Sequence, residues 1–219
     1  MTTGRKFTAA LLLFFGATLT ACDVRNPLDG VDVRLAIHEA KVDLSGLGAL
    51  PLVVGQVTER TSIVDVAEAV KSLDAVHGIK LDPAYLTFTP AVGDATAASA
   101  PPSGTVLVAL RAGHRPLLAV IVTVTDGQVT GIDPRSATLE IAVAKIRQHA
   151  VTAEQALGAG APLGDWQSLT AASLLATLES ILSARQSGLT LVALPLSGNL
   201  SGHLRVSRFV VDATVTAQR

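Results

Sequence analysis

The chain contains few of the residues that form covalent or charged sites. Its 219 residues include one cysteine, one tryptophan and one tyrosine, and only 16% are charged, whereas soluble domains average roughly a quarter. A single cysteine excludes an internal disulfide, so packing alone must stabilise the fold. The 17 basic residues against 18 acidic ones leave no basic excess, so the composition gives no electrostatic indication of binding to nucleic acid or to a strongly anionic surface, and we exclude nucleic acid as a partner.

Aliphatic residues are abundant instead. Hydrophobic residues make up 49% of the chain but aromatic residues only 3%. A domain of this composition either has a large core or exposes apolar surface to a lipid, a ligand or a partner.

The first 22 residues have the order of a bacterial export signal. Arg5 and Lys6 are followed by an uncharged apolar run from Phe7 to Thr18, and residues 19–22 read Leu-Thr-Ala-Cys. These four residues resemble the lipobox of bacterial lipoproteins, which is a leucine, two small residues and an obligatory cysteine. The resemblance implies that a diacylglycerol is attached to the sulfur of Cys22 and that the signal is cleaved just before it.

Two other interpretations of this segment are an uncleaved membrane span and an ordinary secretory signal. A span needs roughly 20 apolar residues, and this run is shorter. An ordinary secretory signal would give Cys22 no role. Cys22 is, however, the only cysteine and lies at the position that lipidation requires. Two or three acyl chains hold a protein on a membrane durably, whereas one holds it marginally.

The resulting division is a lipoprotein signal peptide (1–21), a lipidated tether (22–30) and a single extracytoplasmic domain (31–219). Removing residues 1–21 takes away Arg5 and Lys6 and no acidic residue, which leaves a net charge of −3. We expect the membrane to be a partner through the acyl chains on Cys22. The anchored domain would face the periplasm from the inner or outer membrane, or lie at the cell surface.

Alternating residues predict strands near the start of the domain. Val31, Val33, Leu35 and Ile37 alternate with other residues, and Val42 and Leu44 extend the pattern. Residues 45–48 break it, and Pro51 to Val57 forms a second predicted strand. Ser62 then resembles an N-cap before an apolar stripe, which predicts a helix from Ile63 to Val76, followed by a strand from about Ala84.

The middle of the chain predicts a hairpin meander. Ala91 to Ser103 is a low-complexity loop, and strands are predicted for residues 106–110 and 117–125 around a turn at residues 112–115. Asp126-Gly127 suits a tight turn, so a third strand starts at Val129.

The remaining segments predict a mixture of helix and strand. Thr138 to Ala150 fits strand alternation and helical spacing almost equally, and we favour a strand to Ile146, with one helical turn at residues 152–157. The clearest helix is Asp165 to Gln186, capped by Asp165 and ended by Gly188. Strands at Leu189 to Leu194 and His203 to Val215 complete an α+β domain, an antiparallel β-sandwich or curved sheet with one long and one shorter helix.

No residue set predicts catalysis, a cofactor or a metal. No ligand spacing such as H-x-x-x-H relates the five histidines, His38, His77, His114, His149 and His203. Arg111, His114 and Arg115 form a small basic group at a predicted turn. Gly158, Gly160 and Gly164 do not have the spacing of a nucleotide-binding loop, and elbow, S-x-x-K and H-E-x-x-H motifs are missing from the sequence.

We therefore expect a lipid-anchored, non-enzymatic binding or structural domain of the cell envelope with a protein partner. The alternative is a carrier or sensor of a hydrophobic ligand, such as an acyl chain or a lipid. A carrier needs an internal apolar cavity of roughly a few hundred Å³, whereas an interaction domain is packed to native density.

Overall fold

Twelve β-strands and two α-helices make up the part of the chain that the structure describes. A computed structural model describes residues 33–35, 39–65, 75–91, 100–133, 138–157, 164–183 and 186–217. The predicted signal, tether and Cys22 therefore lie outside the described residues. The strands are β1 (Val33–Leu35), β2 (Ala40–Asp43), β3 (Ala49–Leu52), β4 (Thr58–Asp65), β5 (Ala75–Lys80), β6 (Leu86–Pro90), β7 (Gly104–Ala112), β8 (Arg115–Thr125), β9 (Gln128–Ile132), β10 (Gln186–Gly198), β11 (Gly202–Val206) and β12 (Arg208–Ala217). The helices are α1 (Leu139–Leu157) and α2 (Ala171–Ser183), and short 3₁₀ turns occupy Ser45–Leu47, Pro83–Tyr85 and Gly164–Ser168.

The largest sheet has five antiparallel strands in the order β4-β10-β7-β8-β9. The predicted meander is confirmed within it, because β7, β8 and β9 are neighbours joined by tight turns at residues 113–114 and 126–127. Asp126 and Gly127 both adopt positive φ, 51° and 75°, as the turn chemistry of this dipeptide predicts.

A smaller sheet, β3-β11-β6, forms the second layer. Its strands alternate buried and exposed residues, so one face is buried and the other faces solvent. Its edge strands contact the edges of the large sheet, β3 with β4 and β6 with β9, and β3 also contacts β10. The two sheets therefore form a β-sandwich whose edges meet on both sides.

The third sheet is centred on β12. β1 and β2 pair with successive parts of β12, and β5 pairs with it along the other edge. The strand predicted from the alternation of Val33 and Leu35 and extended by Val42 is thus confirmed over the described residues, although Val31 and Ile37 lie outside them.

Helices α1 and α2 pack against β8 and also contact β5. The central strands β7, β8 and β10 are buried on both faces along most of their length. Because the small sheet covers one face of the large sheet, we infer that the helices cover the opposite face. The α+β class is confirmed. Every core residue that the structure describes lies between Ala40 and Ala213, so the chain from Asp23 onwards keeps this core.

The predicted helix from Ile63 to Val76 is wrong at both of its ends. Ile63 lies in β4 and Val76 in β5, while residues 66–74 lie outside the described part of the chain. Strand β4 pairs with β10 over eight residues and contains several β-branched residues, which fit a pleated surface better than a helix.

The predicted strand at Thr138 to Ile146 is also wrong, since this segment begins α1. The buried residues of α1 recur every three or four positions, which is the helical spacing that the sequence offered as the alternative; they are Ala142, Val143, Ile146, His149, Ala150 and Ala153. Residues 152–157, predicted as a separate turn, continue the same helix.

The predicted helix at Asp165 to Gln186 is shorter than expected at both ends. Residues 164–168 form a 3₁₀ turn, and α2 begins only after Thr170, whose hydroxyl accepts a hydrogen bond from the Ser173 amide at 3.1 Å. Gln186 and Gly188 belong to β10. The predicted strand at His203 to Val215 divides at Ser207 into β11 and β12, which join different sheets.

Candidate functional site

Helix α1 places His149 against the edge of the large sheet. β9 pairs with β8 only from Val122 to Thr125, so among the described residues β8 has no strand neighbour on that side further upstream. The Asp133 amide donates to the Ile121 carbonyl at 2.8 Å, and His149 Nδ1 lies 3.0 Å from the Ala119 carbonyl oxygen. The His149 imidazole thus contacts the Ala119 carbonyl on the edge of β8, at a position where a neighbouring strand would otherwise pair.

The second nitrogen of His149 also has a partner. Nε2 lies 3.2 Å from Asp133 Oδ2, and the His149 side chain is only 4% exposed. Since both ring nitrogens are engaged, His149 has none available to act as a base toward a substrate or to ligate a metal. This pair therefore fastens α1 to the sheet, which is a structural role.

A shallow pocket adjoins this pair, between α1, β5 and β8. Most of its lining is apolar, with Lys80, Asp133 and Lys145 among the lining residues. The volume inside it that the centre of a water molecule can occupy is about 20 Å³. A single water molecule needs roughly 10–15 Å³ by the same measure. The pocket therefore has room for about one water molecule and is far too small for an acyl chain.

Lys80 at this pocket is neutralised by two carboxylates. Its ammonium donates to Glu39 Oε1 and lies 3.2 Å from Asp212 Oδ1, and its side chain is 12% exposed. Burial lowers the pKa of Lys80, but the hydrogen bonds and charges of Glu39 and Asp212 outweigh burial and raise this pKa above its ordinary value. Lys80 is thus a paired structural cation.

The structure does not bring the predicted polar residues into one site. His77 is exposed and bonds Thr214 Oγ1 at 2.8 Å, His114 is exposed in the β7–β8 turn, and His203 is exposed on β11, whereas His38 lies outside the described residues. In the described part of the chain, no three histidine, cysteine or acidic side chains are grouped to hold a metal ion.

The basic group at the β7–β8 turn is also divided. Arg111 forms an ion pair with Glu59 of β4, and its side chain is only 14% exposed, while Arg115 is exposed. This ion pair reaches across β10, which lies between β4 and β7, and engages the one guanidinium of this group that is largely buried.

Sequence reasoning missed a cationic surface, which we name the cationic face; it comprises Lys41, Tyr85, His203, Arg205 and Arg208. The Tyr85 ring lies between two cations, with Lys41 Nζ 5.6 Å and Arg208 Cζ 5.7 Å from its centroid. His203 and Arg205 project from the exposed face of the small sheet, where Arg205 pairs with Thr87.

Backbone contacts join the two parts of the cationic face. Both the amide and the hydroxyl of Ser207 donate to the Tyr85 carbonyl, at 2.8 and 3.1 Å. Asp43 and Asp82 are acidic neighbours of this face. Asp82 caps the turn that ends at Tyr85, and the Asp43 carboxylate accepts a hydrogen bond from the Ser45 amide at 2.7 Å. This bond, with a smaller contribution from the charge of Arg208, lowers the pKa of Asp43. No sequence motif links these residues, since the fold alone assembles them.

Neither helix in the described part of the chain is both long and apolar enough to span a bilayer. No model of a known protein family, no curated protein and no solved structure matches this chain.

Proposed function

We propose that this chain is a lipid-anchored lipoprotein of the bacterial envelope whose extracytoplasmic domain is a non-enzymatic binding or structural module. The observation that carries the proposal is Cys22, the only cysteine, at the end of a lipobox-like sequence just ahead of a folded domain. β1 begins at Val33, eleven residues later. Eleven extended residues reach at most about 40 Å, so the domain stays close to the membrane.

The packing of the domain supports a binding or structural module over a carrier. The central strands of the large sheet are buried on both faces. The pocket beside α1 has room for about one water molecule, and an acyl chain needs a cavity of roughly a few hundred Å³. Both ring nitrogens of the neighbouring His149 are engaged, by Ala119 and Asp133, which supports a non-enzymatic role.

Lipidation is tested with the full chain expressed in bacteria that are fed an alkyne-bearing fatty acid. We expect the label on the protein and, by mass spectrometry, a mature N-terminus at Cys22 carrying acyl chains. Cys22→Ser should abolish labelling, whereas the control Thr20→Ser keeps a small residue in the lipobox and should retain it. An unlabelled protein whose N-terminus lies elsewhere would refute the anchor.

The choice between module and carrier needs a separate measurement. The chain from Asp23, exported behind a cleavable secretory signal and purified gently from the periplasm of its host, is weighed by native mass spectrometry before and after envelope lipids are added. We expect the bare polypeptide mass in both cases. A discrete extra mass that organic solvent extracts would establish the carrier instead.

A further inference from the structure

The charged side chains are distributed unequally between the two sides of the sandwich. The three strands of the small sheet contain no aspartate or glutamate, and their exposed face carries His203 and Arg205. Lys41 and Arg208 extend this positive surface beyond the sheet, with Asp43 beside them. On the helical side, α1 and α2 contain three glutamates against one lysine and one arginine. The helices therefore carry a net charge of −1. The cationic face has three cations, Lys41, Arg205 and Arg208, against Asp43 and Asp82, a net charge of +1.

From this asymmetry we propose that the cationic face binds the anionic surface of the membrane that carries the anchor. The inference rests on the proposed lipid anchor, because the anchor holds the domain beside phospholipid headgroups at high effective concentration. Lysine and arginine are attracted to anionic headgroups, and tyrosine is enriched at the level of the headgroups. The Tyr85 ring between Lys41 and Arg208 combines both features.

The length of the tether permits this orientation. Val33, at the end of the tether, pairs with Ala217, while Arg208 lies at the opposite end of β12. The ten residues of β12 span about 30 Å at roughly 3.3 Å per residue. The tether from Cys22 to Val33 reaches at most about 40 Å. The end of β12 that carries Arg208 therefore reaches the same membrane, and the helices then face away from it.

The proposal is tested by vesicle flotation at low ionic strength with the chain from Asp23, which keeps the described core. The vesicles are phosphatidylglycerol mixed equally with phosphatidylcholine, compared with phosphatidylcholine alone. We expect binding to the anionic vesicles only, and loss of that binding as salt is raised. Each cation near the surface contributes about fivefold to the partition constant, so Arg205→Gln with Arg208→Gln should reduce partitioning about twenty-fivefold.

The matched control is Arg115→Gln with Arg147→Gln, which removes the same charge from the β7–β8 turn and from α1. We expect this control to bind within about twofold of the unmodified chain, since both sites lie off the cationic face. Circular dichroism checks that both double variants fold. If the first pair does not fold, Lys41→Gln, at an exposed position of β2, replaces it.

Three results would overturn the proposal: equal binding to both vesicle types, equal losses in the two double variants, or binding to a soluble polyanionic glycan without binding to vesicles. The last result would assign the cationic face to an anionic polysaccharide. Because this chain lacks Cys22, the outcome is independent of the labelling experiment, and failure of either proposal is recognised separately.

Discussion

Replacing His149 by leucine tests whether the imidazole fastens α1 to the large sheet. The substitution removes both ring nitrogens, so the buried carbonyl of Ala119 loses its imidazole partner 3.0 Å away and the Asp133 carboxylate loses its partner 3.2 Å away. An orphaned buried acceptor costs about 1–3 kcal/mol. Asp133 is 43% exposed and remains solvated, so its share is below about 1 kcal/mol. We expect a total loss of about 2–3 kcal/mol in the free energy of unfolding.

The assay is urea unfolding of the chain from Asp23, followed by the fluorescence of Trp166. This is the only tryptophan and it is 1% exposed in the folded protein, so its emission reports loss of the core. His77→Leu is the control, because His77 is exposed and makes one surface hydrogen bond; its cost should stay below about 0.5 kcal/mol. If His149→Leu is no more costly than His77→Leu, the proposed role of the imidazole is wrong.

Two further substitutions test the buried cation and a close backbone approach. Lys80→Met leaves the Glu39 and Asp212 carboxylates without their shared cation. The free energy of unfolding should fall by about 1–2 kcal/mol at neutral pH, and the loss is no larger because both carboxylates are partly exposed to solvent. Since folding raises the Lys80 pKa, its stabilisation is complete below the unfolded value of 10.5 and is lost as pH rises through the folded pKa. Urea titrations of both proteins should therefore converge in strong alkali, and a constant gap would contradict this account. Gly198→Ala should cost about 3 kcal/mol or more, because φ is +85° and a Cβ would overlap the Ser103 carbonyl. Gly113→Ala, at φ +58° in open space, should cost only about 1 kcal/mol, and equal thermal shifts for the two would refute the steric argument.

The meander was predictable because its turns are specified locally. Asp126-Gly127 tolerates positive φ, and the alternation on both sides of it makes β8 and β9 neighbours, with a register shift between Thr123 and Val124. The α+β class follows from the same local signals. The turn residues and the alternation of the flanking strands specify such a hairpin without contacts from the rest of the chain.

The predictions at α1 and β4 were wrong because the local sequence there fits both helix and strand. Contacts with distant parts of the chain select the conformation that forms. Residues 139–146 satisfy both periods, and the helix is selected because its buried side, including His149 and Ala153, packs against β8. Ser62 resembles a helix cap, but β10 supplies a complete hydrogen-bonding partner to β4, which outweighs local propensity. The cationic face was unpredictable for the same reason, since Lys41, Tyr85 and Arg208 meet only through the third sheet and its neighbouring turn.

The position of the last three strands has a consequence for the order of folding. β10 lies between β4 and β7, β11 between β3 and β6, and β12 between β2 and β5, so each of the three sheets takes an interior strand from the end of the chain. A chain still emerging from a ribosome or an export channel therefore has no complete sheet. Closing pairs such as β1 with β12 also joins residues far apart in sequence, which makes folding slow. In the exported chain that we propose, this topology leaves every sheet incomplete until the last three strands have crossed the membrane, and the three sheets then form on the far side.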